Sequence, residues 1–407
     1  MKSNLIILYP YKFGDFLWKK YHLDKLSKVC HVEVWDLSKI VHKNFAKKIY
    51  SRVENNYRII EFRNVFQFIN YLDKFMNTSK QSKNYFLDKV SVINLRTFII
   101  RIILWKYLYK QNAKILREIN GGFPMRKSFE GKQNNGLKSY FKMIKIISDV
   151  NSLQNLLFVI RAFFYSKIDK LIPFNIHYQL VAGEFYESKA REELNLNIVK
   201  YNSLDYSEYL EFRKQNIDNF NNNLDNIILL DSADPYFFED KVLSKEKVRL
   251  TINTWYPLLN NFCKILEQKY NTEVKIMGHY KTNFESPSKI FGNREVLYGR
   301  TLESTMRAKF VVNRDSSSIS YAVILRKPIV FIYSNELLLD KVVMKYIYNM
   351  AIELGTHPIN LNNPPIDLTP YLNVDLEKYR NFEKNFLTSS FSKSNYDILV
   401  QDIMQLE

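Results

Sequence analysis

FVVNRDSSSISYAVILRKPIVFI, residues 310–332, reads as one complete strand–helix–strand unit. Residues 310–313 are a short apolar run of strand length, 318–325 have helical spacing, and 328–332 are a second β-branched run opened by Pro328. Short continuous apolar runs alternating with helices mark a parallel sheet covered on both faces. Working outward, the same alternation holds upstream. Strands are expected at 227–230, 273–277 and 295–298, with helices at 255–270 and 302–308. The first half repeats it. Strands are expected at 4–9, 31–35, 57–62, 89–94, 179–182 and 198–201. Helices are expected at 16–28 and 98–109, with another on the face Val65, Phe66, Ile69, Leu72 and Phe75. Between the halves lies NIDNFNNNLD, residues 216–225, a polar linker. The fold class expected is α/β, with two Rossmann-like doubly wound domains. The first spans 1–222 with a basic helical insertion at about 137–170. The second spans 223–375, and helices in 376–407 pack back on the first.

The 407 residues suit two cores, and an apolar fraction of 46% can fill them. Two cysteines, Cys30 and Cys263, have no metal-ligand or disulfide spacing, which fits a reducing compartment. With 10 glycines and no GxGxxG or P-loop, the simplest dinucleotide and ATP readings fall away. No signal-peptide pattern and no stretch of about 18 uncharged apolar residues is present, so a cytoplasmic protein, soluble or peripheral on the inner membrane, is expected. Net charge is +17, and it is not evenly spread. Residues 1–150 hold 29 Lys and Arg against 11 Asp and Glu, whereas 226–407 hold 22 against 21. The basic half suits an anionic partner such as a membrane surface or an acidic glycan, or else is a solvated face.

Ligands of open α/β sheets bind beyond the carboxyl ends of the strands. Three such ends in the second half carry chemistry. After 310–313 come Arg314, Asp315, Ser316, Ser317 and Ser318: hydroxyls and free backbone N–H groups at a helix start form an anion cradle without glycine. The bland alternative is a plain serine N-cap. After 273–277 come His279 and Lys281, able to bind a phosphate and help it leave. After 227–230 come Asp231 and Asp234, where a carboxylate can act as general base or nucleophile, or simply form a turn before Pro235.

With these residues in view, the stretch 231–336 resembles bacterial capsule and lipopolysaccharide glycosyltransferases of GT-B fold, in the group that uses CMP-activated sialic acid-like or Kdo-like sugars. The matching pieces are LLD at 229–231, LEQKYN at 266–271, the strand leading to His279, YGRTLE at 298–303, and SSSISYAVILRKPIVFIYSNEL at 316–337. The likeness covers about a quarter of the chain. It implies a CMP phosphate held by His279 and the serines, with Asp231 at the reacting centre. Donor contacts are also expected from Lys281, Arg314, Gly299, Thr301 and Glu303, and acceptor-side roles from Asp15 and Asp234. The sequence departs from the pattern at Tyr280, where proline is usual, and at Arg314-Asp315, where smaller or neutral residues are usual.

The expected function is transfer of a CMP-linked ulosonic or nonulosonic acid (Kdo, sialic, legionaminic or pseudaminic type) to a surface-polysaccharide or lipid-linked glycan. A UDP-hexose donor is the alternative. No metal-binding DxD follows a suitable strand, so neither a metal nor another cofactor is expected. A nucleic-acid-binding protein or a non-catalytic scaffold would share the charge and the aromatics, but no nucleic-acid motif is found.

Overall fold

Every strand pairing among the described residues is parallel, as the buried apolar runs require. The computed structural model describes residues 3–41, 58–90, 95–108, 113–119, 164, 176–193, 197–215, 225–232, 234–235, 250–279, 282 and 286–406. Nearly all of the expected insertion at 137–170, the linker core at 216–224 and Lys281 lie outside these.

The first sheet is built from β1 (Ser3–Tyr9), β2 (His31–Asp36), β3 (Ile59–Glu61), β4 (Lys83–Asp88), β5 (Ala113–Ile119), β6 (Tyr178–Ala182) and β7 (Ile198–Tyr201), in the order β3-β2-β1-β4-β5-β6-β7. The second contains β8 (Asn226–Leu230), β9 (Glu273–Met277), β10 (Val296–Leu297), β11 (Ala308–Asn313), β12 (Ile329–Tyr333) and β13 (Ile359–Asn360), in the order β10-β9-β8-β11-β12-β13. In both, the winding reverses beside the first strand, the doubly wound signature. This is the two-unit α/β plan of the GT-B class.

One unit takes the described residues up to 119, those within 156–207, and 389–406; the other takes 208–388. In the first, Leu5, Ile6, Ile7 and Leu8 of β1 are all buried, so both faces of the sheet are covered. Trp35 fills one of these layers, meeting Phe62, Phe68, Tyr71, Phe75 and Phe86 edge-on at 5.4–6.0 Å between ring centroids. Many of the chain's aromatics are therefore core rather than surface. Residues 389–406 close this unit: Gly183 N–H donates to Ser389 Oγ at 2.8 Å, and Asn202 Nδ2 donates to the Lys393 carbonyl at 2.8 Å. The helix Leu376–Phe382 stays with the second unit, where the Tyr379 hydroxyl donates to the Lys327 carbonyl at 3.0 Å.

Two local expectations are corrected. The helix at 16–28 is two helices, Asp15–Lys20 and Leu23–Val29, broken where His22 takes a left-handed φ of 54°. A strand is Lys83–Asp88, and Lys89 and Val90 of the expected 89–94 follow it outside the strand; 91–94 lie outside the described residues. Asn84 pairs with Asn4 across the sheet at 2.7 Å, and Asp88 ends the strand by accepting the Val90 N–H at 3.0 Å. No described helix is long and apolar enough to cross a membrane.

Candidate active site

The carboxyl edge of the second sheet is set by its register. Leu297, Met277, Leu230, Asn313 and Phe331 lie side by side across five strands. The residues that follow are Tyr298, Gly278-His279, Asp231 and Arg314. Three expected chemistries, histidine, carboxylate and serine loop, thus leave the sheet on the successive strands β9, β8 and β11. Strands lie about 4.8 Å apart, so β9 and β11 are separated by about 10 Å.

His279 is held by its backbone. Its carbonyl accepts from Thr282 N at 2.8 Å and from Thr282 Oγ1 at 2.7 Å, closing a turn just past β9. Its side chain is half-buried. Gly278 before it donates to the Leu297 carbonyl at 2.9 Å, and a Cβ there would stand 2.5 Å from Tyr298 Cε1. Glycine lets the Tyr298 ring close over the strand end. Gly278→Ala is therefore expected to push Tyr298 aside and cost about 1–3 kcal/mol, as overpacking does. An unchanged urea midpoint together with unchanged nucleotide affinity would contradict that role.

Asp231 is buried, and its N–H donates to the Met277 carbonyl at 3.0 Å. Beside it on β11, Asn313 is also buried and ends its strand by turning Oδ1 to accept the Ser316 N–H at 3.0 Å. Its Nδ2 has no hydrogen-bond partner among the described residues. The serines follow. The helix after them is Ile319–Ile324 with Ser318 at the N-cap, yet Ser318 makes no side-chain cap. Ser316 and Ser318 are half-buried and Ser317 exposed. The bland expectation of a serine spent on capping is not met.

Arg314 stands differently from the free donor contact that the sequence suggests. It is buried, with Nε donating to Asp315 Oδ1 at 2.7 Å and Nη1 to the Asp234 carbonyl at 3.2 Å. Nη2 lies 3.6 Å from Asp234 Oδ2, and the guanidinium sits over the Trp255 ring at 5.4 Å. Burial alone would lower its pKa, but Asp315, Asp234 and Asp231 outweigh burial and raise it. Its charge is committed to the acids of its own unit, and it ties the β8 and β11 loops together. Asn313 and Trp255 were given no role in the sequence reading, although an Asn at the last strand position before a turn is a recognisable signal.

The other expected donor contacts separate. Gly299 has φ of 70°, a conformation that favours glycine. Thr301 opens the helix Thr301–Met306, and its carbonyl accepts from Thr305 Oγ1 at 2.7 Å. Glu303 lines a cavity of about 480 Å³ with Asn226, Lys275, Glu295, Arg300 and Arg307. Asn226 opens β8 and Leu297 ends β10, so that cavity runs along the strands, and neither His279, Asp231 nor the serines line it. Glu303 does not join the strand-end group.

Of the two acceptor-side residues, Asp234 belongs to the second unit and Asp15 to the first. Asp15 begins the helix after β1, at the carboxyl edge of its sheet. The loop before it is pinned by buried Asp36, whose Oδ2 accepts the Phe13 N–H at 3.0 Å and whose Oδ1 accepts the Ser38 N–H at 2.9 Å. Much of the basic charge at this edge is paired. Lys12 and Lys39 meet Glu61, Lys89 meets Glu118, and Lys20 meets Asp205. Burial is the main cause that lowers the Lys12 pKa; Asp36 opposes it and Lys39 adds to it.

No protein-family model and no curated protein matches the sequence. Among solved structures, the chain is similar to the wall teichoic acid polymerase TagF, at 12% identity over 99% of this chain and 88% of that one, with a TM-score of 0.49. It is also similar to MurG of Acinetobacter baumannii, at 8% identity over 98% and 100%, TM-score 0.43. A third is a UDP-GlcNAc 2-epimerase of Methanocaldococcus jannaschii, at 12% identity over 93% and 98%, TM-score 0.42. These are likenesses of fold, and the doubly wound assignment rests on the strand order itself.

Proposed function

We propose that this chain is a glycosyltransferase of the GT-B class whose second unit binds a nucleotide sugar at the carboxyl edge of its sheet, and that the donor is a CMP-linked ulosonic or nonulosonic acid. The observation that carries the reading is that His279, Asp231 and three serines follow three adjacent strand ends, with Ser318 at the helix N-cap making no side-chain cap. Hydroxyls and backbone N–H groups at such a position suit one phosphate and a sugar carboxylate. Among the described residues of the edge, Arg314 is engaged by Asp234 and Asp315, which leaves less cationic charge than a diphosphate ordinarily recruits.

In the proposed transfer, an acceptor hydroxyl oxygen attacks the anomeric carbon as the bond from that carbon to the phosphate oxygen breaks. The hydroxyl proton passes to a carboxylate, assigned to Asp231. The departing CMP phosphate is stabilised by His279 and by Ser316, Ser317 and Ser318. Transfer should survive EDTA, since no step is assigned to a metal. The acceptor is proposed to be a surface glycan or its lipid-linked precursor.

Thermal shift with CMP and UDP tests the donor. A nucleotide at 100 times its Kd stabilises by about 2.7 kcal/mol, or roughly 5–10 °C for a unit of this size. CMP should give the larger shift, and Ser316→Ala with Ser317→Ala should remove most of it. A larger UDP shift, or a CMP shift indifferent to the serines, would overturn the CMP assignment; no shift with either would overturn the transferase reading.

A further inference from the structure

The second unit turns an unusual face outward. The turn Asn335–Leu339 follows β12 and leads into the helix Lys341–Glu353. The helix buries Met344, Ile347, Met350 and Ala351. Its exposed residues are Lys341, Val342, Lys345, Tyr348 and Ile352, which at 100° per residue fall within an arc of about 120°. A solvated helix face is ordinarily polar. Here Val342, Tyr348 and Ile352 are exposed by 65%, 38% and 55%, the remaining two residues are lysines, and none is acidic. Leu338 and Leu339, four and three residues before Val342, extend the face at 50% and 63% exposure.

A neighbouring element adds to it. Thr251 donates to Glu336 from N at 3.1 Å and from Oγ1 at 3.0 Å. That fastens the start of the helix Ile252–Tyr270 to the leucine turn, and its first residue, Ile252, is 48% exposed. The carboxylates at the leucine end are occupied: Glu336 by Thr251, and Asp340 by capping the Val343 N–H at 3.1 Å. Glu353 lies at the far end of the helix.

We propose that Leu338, Leu339, Val342 and Ile352, with Lys341 and Lys345, form a membrane-docking surface for anionic phospholipid. Aliphatic side chains that protrude between lysines match the headgroup boundary: the apolar tips enter the acyl region while the lysine stems reach phosphates. A second copy of the chain fits less well, because a two-fold contact would bring the same lysines together. The surface is independent of the donor assignment. It also differs from the basic first half as a source of membrane contact, since it acts through apolar insertion as well as charge.

Vesicle sedimentation of the full chain decides this. Wild type should pellet with vesicles of phosphatidylcholine mixed with phosphatidylglycerol, and much less with phosphatidylcholine alone. Leu339→Ser with Val342→Ser should weaken the binding by about tenfold or more, with no change in melting because both residues are exposed. Lys341→Gln with Lys345→Gln should weaken it less and flatten its salt dependence. Three results would overturn the proposal: no binding of wild type to the anionic vesicles, full binding of the serine variant, or a wild-type dimer in sedimentation velocity that the serine variant loses.

Discussion

Arg101→Met should cost the first unit about 3–5 kcal/mol, the range for breaking a buried ion pair. Arg101 projects from the helix Leu95–Leu108 and is almost wholly buried. It donates to the Asp88 carboxylate and to the Val90 carbonyl, holding both ends of the turn where β4 stops. Arg117 stands 3.3 Å from the same carboxylate but is partly exposed. Burial of Asp88 would by itself raise its pKa; Arg101, Arg117 and the Val90 N–H outweigh burial and hold it below 3.8. A carboxylate with a depressed folded pKa contributes stability above its unfolded value, and loses it as pH falls through the folded one. The wild-type unit should therefore keep this contribution at neutral pH and lose it in strong acid. Arg101→Met should be most damaging at neutral pH, where Asp88 is left charged without its main partner, and the gap to wild type should narrow in acid. Adding Asp88→Asn should recover part of the loss, because the two residues share one interaction. Urea unfolding followed by circular dichroism measures Arg101→Met, Asp88→Asn and the double variant. Single changes that each cost under about 1 kcal/mol would mean the pair carries no such load.

The fold was legible because both sheets are made of buried parallel strands. Runs such as LIIL at 5–8 and FVV at 310–312 have no polar alternation and can only be covered on two faces. Where sequence reading failed, side chains had done what periodicity cannot show. A strand was expected to begin at Lys89, but one ends just before it: Asp88 closes Lys83–Asp88 by accepting from Val90. Phe16, Leu17, Tyr21, Leu23 and Leu26 read as the apolar positions of one helix, but His22 within the run turns left-handed. Neither β5 nor the helix Lys341–Glu353 was anticipated. The helix's outward face carries Val342 and Ile352, so its amphipathic signal is blurred by residues proposed to meet lipid. The strand-end chemistry of the site was readable from position alone: His279, Asp231 and the serines follow strands that had to be parallel. The fate of Arg314 was not. Next to a serine loop it looks like an anion contact, and only the tertiary structure brings Asp234 and Trp255 to it.

His279→Ala should reduce turnover by about 10²-fold or more while the melting temperature stays within a few degrees of wild type. The two halves of that expectation come from different features. His279 is only half-buried, and the turn past β9 is closed through its backbone carbonyl, bonded by Thr282, so truncation of the ring leaves those two bonds in place. On the proposed function, the chemical loss follows from the strand that carries His279. It leaves the sheet one strand from Asp231 and two from the serine loop, so a phosphate seated on the serines presents its remaining oxygens toward β9. Negative charge builds on those oxygens as the bond to the sugar breaks, and a hydrogen-bond donor placed there acts more strongly on the leaving group than on the intact donor. The rate constant should therefore fall more than donor affinity does. CMP release from CMP-sialic acid or CMP-Kdo, measured with water as the acceptor, makes the comparison possible before the natural acceptor is identified. Ser316→Ala with Ser317→Ala should show the opposite balance, with affinity lost more than rate, because the serines hold the phosphate in the ground state as well. Turnover near wild type in His279→Ala, or an affinity loss that accounts for the whole effect, would remove the histidine from the leaving-group side of the reaction and leave it a structural residue of the β9 turn.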